Sequence, residues 1–109
     1  MSNVTGARGR QSGAPLEGAG LTRRARQLLS VDLPVSSVLW EVGVAQSTVA
    51  RMAEVTQSRV SRILRSPKEA RKQGFDASTR VYTAISKLLG IPLSDLVEYR
   101  AAFGDRPHG

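Results

Sequence analysis

The sequence predicts an all-α fold: a compact domain of five to six short helices, preceded by a disordered N-terminal arm. Three observations carry this prediction. Apolar residues recur at three- and four-residue spacing in six successive segments. No stretch alternates apolar and polar residues for long enough to make a strand. Pro, Gly, Ser and Thr fall at the joints between the periodic segments, where helices start and stop.

Residues 1–20 are rich in Gly, Ser and Ala, with Val4 and Leu16 as the larger aliphatics. Too little apolar surface is present to offset chain entropy, so this arm is expected to be disordered when free. Residues 21–30 read as a short helix with Leu21, Ala25, Leu28 and Leu29 on one face and Thr22 as its cap. Pro34 fits the first turn of the next helix, where Val35, Val38, Leu39 and Val42 form a stripe and Gly43 suits a left-handed end. Residues 46–53 repeat the pattern with Val49, Ala50 and Ala53 inward. Thr56 is a good N-cap for a helix over 57–65, whose Val60, Ile63 and Leu64 face the core. Residues 66–77 look like a basic loop. Ser78 caps a helix running to Leu89 and stopped by Gly90, and residues 94–103 form the last helix. Residues 104–109 should fray. Trp40 falls off the apolar stripe of its helix; packing beneath the 21–30 helix is expected, with a partner surface as the alternative.

Composition narrows the function. The 109 residues carry 16 Lys and Arg against 9 Asp and Glu, a net charge of +7. That balance favours a polyanionic partner. The charge is concentrated in two places. Arg8, Arg10, Arg23, Arg24 and Arg26 stand against Glu17 in residues 1–30. Arg51, Arg59, Arg62, Arg65, Lys68, Arg71 and Lys72 stand against Glu54 and Glu69 in residues 48–72. The absence of Cys excludes disulfides and thiolate metal sites, and a single His, His108, leaves no metal cluster or His-based catalysis. No nucleophile–His pair is present, and the glycines of residues 6–20 do not sit between a strand and a helix. The sequence is therefore read as a non-enzyme without cofactor. No apolar run approaches the ~18 residues of a membrane span, and no apolar region follows Arg8 and Arg10 as in a secretory signal. A cytoplasmic protein without a small-molecule effector domain is expected.

The informative stretch is residues 43–64, GVAQSTVARMAEVTQSRVSRIL. Two short helices are joined by a turn over 54–56, the spacing that sets them at a steep angle. Small Ala50 sits where the helices approach, Val55 fills the corner and Val60 anchors the second helix. Gln57, Ser58, Arg59, Ser61, Arg62 and Arg65 are left exposed. In a DNA major groove, Gln suits adenine and Arg suits guanine through paired hydrogen bonds, and Ser can donate or accept.

The run Gly43-Val44-Ala45-Gln46-Ser47-Thr48-Val49-Ala50, followed by Val55-Thr56-Gln57-Ser58-Arg59-Val60-Ser61-Arg62-Ile63, resembles the phage Cro/C1 repressor-like (Xre) helix-turn-helix family. Ile85-Ser86-Lys87-Leu88-Leu89-Gly90-Ile91 and residues 93–96 are similar to that family's fourth helix and the start of its fifth. The likeness covers about residues 35–98. The core of the motif is also similar to the headpiece of LacI-type repressors. The resemblance implies a lambda-repressor-like fold and sequence-specific binding of double-stranded DNA by a transcriptional regulator, as in a phage or prophage repressor or a Cro-like protein. It implies base reading by Gln57, Ser58 and Arg62, with Ser61 beside them, and phosphate binding at Gln46, which also supports the first recognition-helix residue.

Thr48, Arg59, Arg65, Lys68, Arg71 and Lys72 are further expected phosphate contacts. Arg8, Arg10, Arg23 and Arg24 are candidate contacts from the arm and first helix. About six phosphate contacts would weaken binding roughly a thousandfold between 50 and 200 mM salt. This chain departs from the family pattern at Glu54, which stands where Gly is usual and would cost about 1 kcal/mol at positive φ. It departs again in the longer stretch over 66–77 and in the extra helix at 21–30. Homodimerisation stays open. Two other readings stay open beside DNA regulation: an antitoxin that binds a toxin partner as well as its operator, and a protein-binding recruitment module.

Overall fold

The computed structural model describes residues 18–104, all of whose regular structure is helical. The elements are α1 (Gly18–Ser30), α2 (Val35–Val42), α3 (Gln46–Ala53), α4 (Gln57–Ile63), α5 (Pro67–Gln73) and α6 (Phe75–Leu89). A 3-10 turn (Leu93–Asp95) follows, then α7 (Val97–Tyr99), which runs into a π-helical turn (Arg100–Gly104). The expectations for the arm over 1–17, with Arg8 and Arg10, and for residues 105–109 lie outside the described residues.

The apolar spacing explains the packing. α6 is the longest helix, and α1, α3, α4, α5 and the 3-10 turn all pack against it. Its Val81, Tyr82, Ile85 and Leu89 are fully buried, as are Leu39 of α2, Val49 of α3, and Val60 and Ile63 of α4. Burying each of the larger aliphatics contributes about 1.5–3 kcal/mol. The Tyr82 hydroxyl keeps a long hydrogen bond to Glu98 Oε1, at 3.4 Å. Burial, and then the nearby Glu98 carboxylate, push the Tyr82 phenol above its usual range.

Four helix ends share one device. After α1, α2, α3 and α6 an N–H bonds back five residues, from Leu33 to Leu28, Val44 to Leu39, Val55 to Ala50 and Ile91 to Ser86. This Schellman arrangement needs a left-handed residue just past the helix. Gly43 (φ 79) and Gly90 (φ 68) supply it in two cases, and Asp32 (φ 63) and Glu54 (φ 60) in the other two. Gly90 is constrained a second time, because an added Cβ would lie 2.5 Å from Thr22 Oγ1. That hydroxyl donates to the Leu89 carbonyl at 2.8 Å and fastens α1 to the end of α6.

Several sequence expectations are corrected. α1 begins at Gly18, and Thr22 makes this long-range bond in place of a helix cap. Pro34 precedes α2 at the cap position (φ −61, ψ 150), so the first helical N–H, that of Val35, takes Glu98 Oε2 at 2.8 Å. Residues 66–77 are largely helical: Ser66 Oγ accepts from the Glu69 N–H at 3.1 Å and starts α5 with Pro67 in its first turn. Ser78 lies inside α6, fully buried, and donates to the Ala70 carbonyl at 2.6 Å. That carbonyl is freed by the end of α5, so the bond satisfies an orphan acceptor. The expected last helix is interrupted at Leu96, which is extended (φ −85, ψ 103). Trp40 does not pack under α1 and is 82% exposed. α2 buries Val35, Val38, Leu39 and Val42 on one face, and Trp40 stands about 100° or more from each of them at 3.6 residues per turn.

Candidate nucleic-acid interface

α3 and α4 pack directly on each other across the three residues Glu54, Val55 and Thr56. Val49, Ala50 and Ala53 of α3 are buried, and half-buried Val55 packs against the core at the corner. Thr56 is extended (φ −75, ψ 154), and its hydroxyl accepts from the Arg59 N–H at 3.1 Å. This cap starts α4 and fixes which residues lie on which side of it.

At about 100° per residue, Gln57, Ser61, Ser58 and Arg62 span one arc of roughly 140° on α4. All four are exposed, and none of their side chains forms a hydrogen bond or ion pair with another described residue. Val60 and Ile63 point the other way, with no exposed surface. α4 thus presents amide, hydroxyl and guanidinium groups together on a ridge whose back is anchored in the core. Amide and guanidinium groups read base edges by paired hydrogen bonds, and a hydroxyl donates or accepts a single one.

The other candidates divide. Arg65 and Lys68 are exposed at the corner between α4 and α5, and their side chains, like that of Arg51 on α3, have no partner among the described residues. Gln46 and Thr48 are half-buried in the first turn of α3, and neither side chain is hydrogen-bonded among the described residues. Arg23 and Arg24 are exposed on α1, with Arg24 Nη1 at 3.5 Å from Gln27 Oε1.

Three expected phosphate contacts have partners within the fold. Arg59 is half-buried and donates from Nε to Gln73 Oε1 at 3.1 Å and from Nη2 to the Gln73 carbonyl at 2.8 Å. Arg71 Nη1 reaches the carbonyls of Ala101 and Ala102 at 3.2 and 3.4 Å. Lys72 lies 3.7 Å from the Glu69 carboxylate. Sequence reasoning did not single out Gln73. Its partnership with Arg59 depends on α5 being a helix, and the Ser66-Pro67…Glu69 start signal is the only trace of that in the sequence.

Among the described residues no group of His, Asp and Glu could hold a metal ion. A shallow groove of about 210 Å³ runs between the end of α3 and α6, lined by Met52, Glu54, Arg80 and Lys87 among others. It is below the ~300 Å³ at which small-molecule sites begin. No described helix is long and apolar enough to cross a membrane.

These features define an all-helical protein with two short helices, joined by a tight turn, on its surface. No known family model, curated protein or solved structure matches the chain.

Proposed function

We propose that this chain is a sequence-specific double-stranded DNA-binding protein, acting as a transcriptional regulator of the phage-repressor or Cro-like kind. One observation carries the reading: Gln57, Ser58, Ser61 and Arg62 share one exposed, unpartnered arc of a helix whose opposite face is locked in the core. With α4 in the major groove, Gln57 and Arg62 supply paired hydrogen bonds to adenine and guanine, and the serines adjust to either. Arg51, Arg62, Arg65 and Lys68 are the cations of the central block whose side chains have no partner among the described residues. With Arg62 on a base, Arg51, Arg65 and Lys68 supply the phosphate attraction. Occupying the site would itself exclude other proteins, and no cofactor is needed.

Selection of binding sites from a random duplex library tests this directly. A defined motif should emerge. About three neutralised phosphates per protomer predict a loss of affinity of roughly fortyfold between 50 and 200 mM salt. An unenriched library, or affinity that barely moves with salt, would sink the reading.

Trp40 favours a second reading, that of an antitoxin or recruitment module. A ring left 82% exposed on α2 suits a protein partner. That reading predicts stable co-purification of a partner, lost on Trp40→Ala. In its recruitment-module form it also predicts no shift of any duplex at low salt.

A further inference from the structure

We infer that Arg59 is the positioning residue of the recognition helix, a clasp that sets the rotation of α4, with its two partnered donors turned into the fold. The inference rests on the DNA-binding reading above and assigns a role within it. α4 and α5 are joined covalently at one end, through Leu64, Arg65 and Ser66. Arg59 lies in the first turn of α4, and Gln73 is the last residue of α5. The guanidinium spans those far ends with two bonds, to Gln73 Oε1 at 3.1 Å and to the Gln73 carbonyl at 2.8 Å. The two helices are thereby closed into a hairpin held at both ends.

The chemistry suits the place. The Gln73 carbonyl is one of the acceptors that a helix end leaves unsatisfied, and a cation there is favoured by the helix dipole. A planar fork fixes an orientation that an ammonium on a flexible stem does not. α5 is itself immobilised, because Ser78 bonds the Ala70 carbonyl at 2.6 Å and Arg71 bonds the Ala101 and Ala102 carbonyls. Arg59 therefore ties α4 to a fixed object. Ser58 precedes it directly, and Gln57 and Arg62 are two and three residues away. A small rotation of α4 about its axis would move all three against the bases together, whereas a phosphate contact would affect every sequence alike.

The test compares wild type with Arg59→Lys, which keeps the charge and loses the fork, and Arg59→Gln, which loses both. The measurements are the affinity ratio between the selected duplex and a scrambled one, and the salt slope on each. Positioning predicts that Arg59→Lys cuts the ratio tenfold or more with the salt slope unchanged. It also predicts that the Arg59 Hε proton of the free wild-type protein is protected from exchange. Gln73→Ala removes one of the two bonds and should give an intermediate ratio, which serves if Arg59→Lys does not fold. An unchanged ratio in Arg59→Lys, or in Gln73→Ala where only that variant folds, overturns the inference. So does a drop of about 0.9 in slope for Arg59→Gln with its ratio kept, which would make Arg59 an ordinary phosphate contact. If wild type selects no motif at all, the DNA-binding reading falls, and this inference falls with it. A selected motif with an indifferent Arg59 removes only the clasp.

Discussion

The seam around α5 and the open arc of α4 treat polar side chains in opposite ways. Along the seam, Arg59, Arg71 and Ser78 each end on a backbone carbonyl that a helix terminus or turn leaves available. On the arc, only a few ångströms of helix away, Gln57, Ser58, Ser61 and Arg62 end on nothing among the described residues. Both regions belong to one short stretch of basic, serine-containing sequence. Composition therefore does not separate fold-holding cations from those that face outward. The deciding variable is whether a carbonyl without an intrahelical partner lies within reach.

Substitutions on the two sides should separate stability from binding. Ile63→Ala, behind the arc and fully buried, should cost about 2–5 kcal/mol of stability in denaturant unfolding. A loss below about 1 kcal/mol would mean that α4 is not anchored as described. Arg62→Ala should weaken the selected duplex by about 1–3 kcal/mol and blur one position of the motif. Its unfolding free energy should stay within about 0.5 kcal/mol of wild type. A sharp motif in that variant would take Arg62 out of the reading set. Glu54→Gly should have the smallest effect, a gain of up to about 1 kcal/mol, because the φ of 60 at that turn is strained for any residue with a Cβ. An unchanged or lower melting temperature would show that the Glu54 turn carries no releasable strain.

The comparison also shows what could be read in the sequence. Gly43, Gly90 and Thr56 announced their roles because each acts locally, through its own φ or its own hydroxyl. The exposed arc of α4 followed from helical period alone once Val60 and Ile63 were assigned to the core. α5 was hidden because it buries only Ala70, which leaves no apolar stripe, and its seven residues look like any basic loop. Ser78 misled for a related reason. Serine is a frequent helix cap, but this hydroxyl satisfies a carbonyl eight residues earlier on a helix that had not been foreseen. Trp40 misled although its place off the α2 stripe is plain from the spacing, because whether α1 covers that flank is set by tertiary packing. The Arg59 clasp spans 14 residues and exists only after α5 has formed, so no local pattern encodes it.

The bond from Val35 N–H to Glu98 has a consequence for synthesis. The two residues are 63 apart, and the Thr22–Leu89 and Arg26–Asp95 contacts span 67 and 69. At roughly 5–20 residues per second, the ribosome needs roughly 3 to 13 seconds after making Val35 before it makes Glu98. During that interval the first N–H of α2 lacks its cap, and for most of it Thr22 of α1 lacks the end of α6. α1 and α2 can pack on each other in that time, but the bonds that fasten them to the rest of the fold wait for the last third of the chain.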